Sequence, residues 1–85
     1  MPYIKQSERS LYDESIKNIP IIETKGQLEY CITKLILNYM KNKEYRYSTL
    51  HDAVYATIHA GEEFKRQYLD KREDQAIREN GDINE

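Results

Sequence analysis

"TKGQLEYCITKLILNYM", residues 24–40, decides the fold. Thr24, followed three residues later by Gln27, matches the pattern in which a hydroxyl and an amide side chain satisfy each other's backbone N–H groups at a helix start. From there Leu28, Cys31, Ile32, Leu35, Ile36, Tyr39 and Met40 recur at the i, i+3, i+4, i+7 spacing of one helix face. Glu29, Lys34, Asn38 and Lys41 fall on the opposite face. The spacing predicts an amphipathic helix running to about Asn42.

Toward the N-terminus, the arm "MPYIKQ" is too short to be an element of its own. Ser7 and Glu8 open a short helical pattern with Leu11, Tyr12, Ser15, Ile16 and Ile19 on one side, and Pro20 ends it by disfavouring helix at Ile19. Toward the C-terminus, a third helix begins at Ser48 or Thr49, either of which can cap. Its apolar side is Leu50, Ala53, Val54, Thr57, Ile58, Gly61, Phe64 and Tyr68. A mid-helix glycine costs about 1 kcal/mol relative to alanine. Within the apolar stripe it admits a second backbone, so Gly61 reads as a helix-crossing point, with a kink or break as the alternative. Beyond Leu69 the stripe thins to Ala76 and Ile77. Glu62–Arg66 and Asp74–Arg78 have the favourable i,i+4 order, and Asn80-Gly81 is a C-terminal stop. Strand signals, repeats and Gly/Ser linkers are absent. The expected fold is all-α: a short N-terminal helix, one amphipathic helix and one long C-terminal helix, forming one domain over residues 1–85.

Length sets a further condition. At 85 residues, 39% apolar, with one Phe and no Trp, the chain lies near the lower limit for a self-sufficient core. A helix of about thirty residues with a sparsely apolar last third leans on another subunit, so the packing expected is an oligomeric helical bundle. The single Cys31 rules out an internal disulfide and fits a reducing cytoplasm; within an apolar stripe it reads as a buried, inert thiol. Unbroken apolar runs such as "LIL", residues 35–37, are far too short to span a bilayer, so no membrane span is expected, and no signal peptide is read. The net charge of −2 divides into −1 over residues 1–24, +3 over residues 25–48 and −4 over residues 49–85. An acidic whole argues against long nucleic acid, and a basic centre is compatible with a small phosphate ligand.

No reaction is legible. His51 and His59 are eight residues apart, about 12 Å along a helix, too far to share an ion. No P-loop, GxGxxG or HExxH pattern occurs, and the carboxylates are scattered over polar faces. The expectation is therefore no enzyme, no catalytic residue, no metal and no cofactor.

Eight tyrosines are the unusual feature of the composition. Tyr30, Tyr39, Tyr55 and Tyr68 lie within helices and read as core or interface residues. Tyr3, Tyr45 and Tyr47 are read as lying outside them, the last two in "KNKEYRYSTLHD", residues 41–52. A tyrosine stacks on a nucleobase for about 1–3 kcal/mol without reading sequence. Arg46 between two of them offers a phosphate fork or a cation–π partner. The other reading of that segment is a loop whose tyrosines fold back over a small core. The candidate binding residues are Tyr3, Lys5, Tyr45, Arg46 and Tyr47, with Arg66 added because it lies off the apolar stripe. Thr49 and Asn80 are candidates for base edges and also for helix caps.

"PYIK" at residues 2–5, "GQLEYCITKLILNYM" at 26–40, "EEFKRQY" at 62–68 and "EDQAIRENGDI" at 73–83 together resemble a widespread family of small phage and bacterial proteins. Its members begin with PYI, carry G-[EQ]-L-x-Y-x-I-T-K-L and later E-F-x-R-R, and end in Y-E-D-x-K-I-x-E-N-G-D-[VI]. The likeness covers nearly the whole chain. It departs at Arg72, where a tyrosine is usual, at Ala76, in place of lysine, and at Gln67, in place of the second arginine. This family resembles the phage anti-CBASS sponges of the fourth type, helical tetramers that sequester cyclic dinucleotides, chiefly cyclic GMP–AMP. The resemblance implies a homotetramer in the host cytoplasm that binds such a ligand and leaves it intact. Rival readings are a phage factor that inhibits a host protein through its long third helix, and a small DNA- or RNA-binding regulator, which the acidic balance disfavours.

Overall fold

The computed structural model describes residues 3–84. It is all-helical, with α1 at Gln6–Lys17, α2 at Lys25–Met40, α3 at Tyr47–Phe64 and α4 at Asp70–Asn80. A π-helical turn, Lys65–Leu69, joins α3 to α4 without a break, since Lys65 and Leu69 both keep right-handed helical dihedrals. The last three segments therefore form one long helix, as the sequence predicts. Gly61 neither kinks nor breaks it; the departure from α geometry begins after Phe64.

Each terminus has a local cause. At α2 the Thr24 hydroxyl accepts from the Gln27 N–H (3.1 Å), and the Gln27 side chain accepts from the Thr24 N–H (3.2 Å) and the Glu23 N–H (2.8 Å). α2 stops at Met40, two residues short of the expected end. The start of α3 corrects the expectation. Its N-cap is Arg46, neither Ser48 nor Thr49, and Tyr47 is the first residue inside the helix and not a loop residue. Thr49 acts from within the first turn, where its hydroxyl accepts from the Arg46 N–H (3.3 Å) and donates to the Glu44 carbonyl (2.6 Å). At the far end Gly81 takes φ 86° and ψ 152°, and its N–H bonds to the Ile77 carbonyl (2.8 Å). That region of backbone space is close to glycine-only, so Asn80-Gly81 does stop the helix.

α2 and α3 form a helix hairpin around the connection 41–46, and among the described residues α1 makes no close backbone approach to another helix. The hairpin encloses little. Ala53, 5% exposed, is the one buried apolar residue among those described. Cys31, expected to be buried, is half-buried, beside half-buried Ile32 and Ile36. The radius of gyration is 16.9 Å, against about 12 Å for a compact chain of this length. Between α2 and α3 lies an apolar groove of about 640 Å³. Among the described residues no helix is long and apolar enough to cross a membrane.

Candidate functional site

The candidate residues separate into two clusters at opposite ends of α3. At the hairpin end, Tyr45 and Tyr47 are 87% and 83% exposed, so neither folds back over a core. Arg46 between them pairs with Glu44, and both partners are largely exposed. An exposed pair of this kind contributes at most about 1 kcal/mol, so Glu44 holds Arg46 only weakly. Lys43 sits 4.3 Å from the Tyr39 ring centre. Thr49 belongs to this cluster in space, but its hydroxyl is occupied by backbone.

One turn at a time, α3 extends the aromatic surface of this cluster. Tyr47 and His51 have ring centres 5.7 Å apart, His51 and Tyr55 stack at 4.2 Å, and Tyr55 and His59 follow at 6.0 Å. The i,i+4 spacing places the four rings in a row, and all four residues are exposed. In sequence the two histidines present themselves only as possible metal ligands and Tyr55 only as a packing residue. The four-residue period was present in the sequence and would have revealed the row.

The second cluster forms where the N-terminal arm meets the start of the π turn. Tyr3 donates its hydroxyl proton to Glu63 and accepts from the Gln67 side chain (3.3 Å). Gln67 also donates to Glu63 (3.2 Å). Arg66 grips the same carboxylate with two nitrogens, at 2.5 Å and 3.2 Å. Hydrogen bonds from Arg66 first and Tyr3 second hold the Glu63 carboxyl at about 2, well below its ordinary range. The same partnership raises Arg66 further. Arg66 is paired with Glu63, not with Glu62 as its i,i+4 spacing predicts, and no ion pair joins Asp74 to Arg78 among the described residues. The π turn carries its own staple, Lys65 to Asp70 at 2.7 Å, between the same two residues whose backbone closes the turn by a bond from the Asp70 N–H to the Lys65 carbonyl. Glu63 and Gln67 were missed in sequence, because their partner Tyr3 is sixty residues or more away.

Lys5 and Asn80 join neither cluster. Lys5 is exposed at the N-cap of α1, and its carbonyl accepts from the Glu8 N–H (2.9 Å). Asn80 is the exposed last residue of α4. From Tyr47 to Glu63 is about 24 Å along the helix, so one chain cannot present both clusters to one small ligand. Among the described residues no three of His, Cys, Asp and Glu gather as metal ligands would.

Fold and site together define a small all-α protein built on a helix hairpin, with exposed tyrosines and arginines at both ends of α3. The chain belongs to the family described as a domain of unknown function, DUF6899, whose model matches residues 1–83. No curated protein and no solved structure matches it.

Proposed function

We propose that this protein is a phage sponge that binds a host cyclic dinucleotide, 3'3'-cGAMP or a close relative, and holds it without cleaving it, thereby blunting host immune signalling. The observation that carries the reading is the exposed Tyr45–Arg46–Tyr47 group at the hairpin end, continued by His51 and Tyr55. It offers flat faces for two bases and a cation weakly held by Glu44. The sequence resemblance supplies the ligand class.

A sponge needs no chemistry; it lowers free signal by tight binding and abundance. Tight binding needs contacts from several directions, and a single extended chain has little concave polar surface. The two clusters, about 24 Å apart on one chain, supply a full set only where copies meet. We therefore place the function in a homo-oligomer, with a tetramer favoured by the resemblance, working in the host cytoplasm without membrane or long nucleic acid as partners.

Heating purified protein and analysing the released small molecules by mass spectrometry tests the reading. An intact cyclic dinucleotide in the supernatant supports it. A supernatant without one, from protein that also fails to bind added 3'3'-cGAMP, contradicts it. The second reading, inhibition of a host protein through the long helix, draws on the unbroken run from α3 through the π turn into α4. Protein captured from host extract in stoichiometric amount, with no nucleotide, would favour it.

A further inference from the structure

We infer that the groove between α2 and α3 is the seat of a second copy of this chain, whose backbone crosses α3 over Ala56, Ala60 and Gly61. The groove has one wall of large residues, Leu28, Ile32 and Leu35 among them, and a floor of small ones on α3. Its lining on each helix spans twelve residues, from Leu28 to Tyr39 and from Ala53 to Phe64. That is about 16 Å, or three turns, the length of a helical segment. Only Thr57 and Tyr39 in the lining carry side-chain polar atoms, and the Thr57 hydroxyl is already bonded to the Ala53 carbonyl (3.1 Å). A charged ligand finds nothing there to orient it.

The surface area names the occupant. The chain exposes 8065 Å², where a compact protein of its mass exposes about 5,300 Å², an excess of roughly 2,700 Å² per chain. Obligate homodimers bury about 2,000–5,000 Å² or more in total, about 1,000–2,500 Å² or more from each chain, so the excess per chain reaches the upper end of what one such interface removes. Large residues and small ones lie side by side in one groove, which is what a self-complementary, two-fold interface requires. Gly61 gives a second, independent reason. A Cβ built there meets nothing within 4 Å in its own chain, although glycine costs a helix interior about 1 kcal/mol against alanine. The close approach expected at Gly61 is thus not made within the chain, and a crossing helix of a second copy accounts for it.

Occupancy of the groove does not depend on the ligand. The sense of the crossing rests on the sponge reading. If the two α3 helices run antiparallel about Ala56–Thr57, Tyr47 of one copy comes level with Arg66 of the other, since both lie equally far from that centre. The two clusters of the site are then brought together.

The test is the reactivity of Gly61→Cys toward a thiol reagent, in a Cys31→Ser background and without ligand, alongside the mass from light scattering. Because the chain alone leaves that position open, burial by a second copy slows labelling by about tenfold or more relative to the unfolded protein, and dilution restores both fast labelling and monomer mass. An oligomer that labels at the unfolded rate places the interface elsewhere and overturns the inference. A protected monomer overturns it too, because α1 of the same chain, with exposed Leu11, Tyr12 and Ile16, would then be the occupant. Ala56→Cys repeats the measurement one and a half turns away should Gly61→Cys fail to fold or, with a side chain where the crossing needs none, fail to associate. A mass near 10 kDa for the natural chain at micromolar concentration is decisive against it in any case.

Discussion

Tyr3 and Glu63, sixty residues apart in sequence, are joined by a hydrogen bond from phenol to carboxylate, and this bond ties the N-terminal arm to the end of α3. Arg66 and Gln67 converge on the same carboxylate, so the arm is docked by a network and not by a single contact.

That network has a defined pH range. The folded Glu63 titrates at about 2 because Arg66 and Tyr3 bond to its ionised form, whereas an unfolded glutamate titrates near 4.3. A depressed carboxyl contributes stability that is complete above the unfolded value and lost as pH falls toward the folded one. The arm should stay docked from neutral pH to about 4.3 and come free between there and about 2. Carbon NMR of the Glu63 carboxyl and the Tyr3 ring signals reads this directly. Glu63→Gln should shift the Tyr3 signals at neutral pH toward those of the acid-treated parent.

Thr49 tests whether a polar residue beside the site belongs to the ligand or to the fold. Its hydroxyl already serves the Arg46 N–H and the Glu44 carbonyl. Thr49→Ala should therefore lower stability by about 0.5–2 kcal/mol, the usual range for losing a helix-start side chain. A melt by circular dichroism shows it. Binding of 3'3'-cGAMP at temperatures where the variant stays folded should change little beside Tyr47→Ala.

Gly81 should resist replacement. At φ 86° and ψ 152° it occupies backbone space that side chains avoid at a cost of about 1–3 kcal/mol. Gly81→Ala should fray the end of α4, seen as faster amide exchange at Ile77–Asn80, while α2 and α3 exchange as before. Equal exchange throughout would mean that the stop is set elsewhere.

Much of the fold was legible because local rules wrote it. The Thr24–Gln27 pair and the seven-residue apolar series of α2 act within a few turns of each other, as does the Asn80-Gly81 stop. What escaped reading depended on distance or on competition among neighbours. Arg66 faced two glutamates, and the π turn together with the docked arm favoured Glu63 over the i,i+4 partner Glu62. Gln67 has a place in this chain as a donor to both Tyr3 and Glu63. The start of α3 shifted to Arg46 because Thr49 could satisfy the cap from inside the helix. That moved Tyr47 from loop to first turn, where it heads the row of rings through His59.

The most direct test of the central claim is a calorimetric titration of 3'3'-cGAMP into the parent, Tyr47→Ala and Arg46→Ala, followed by recovery of the ligand on denaturation. The parent should bind, and each variant should lose about 1–3 kcal/mol of binding, from a stacking face in the first and a charge-assisted phosphate bond in the second. Their melting temperatures should stay near the parent's, since both side chains are exposed. The recovered dinucleotide should be intact. Absence of binding by the folded parent, or recovery of linear product, would contradict the account.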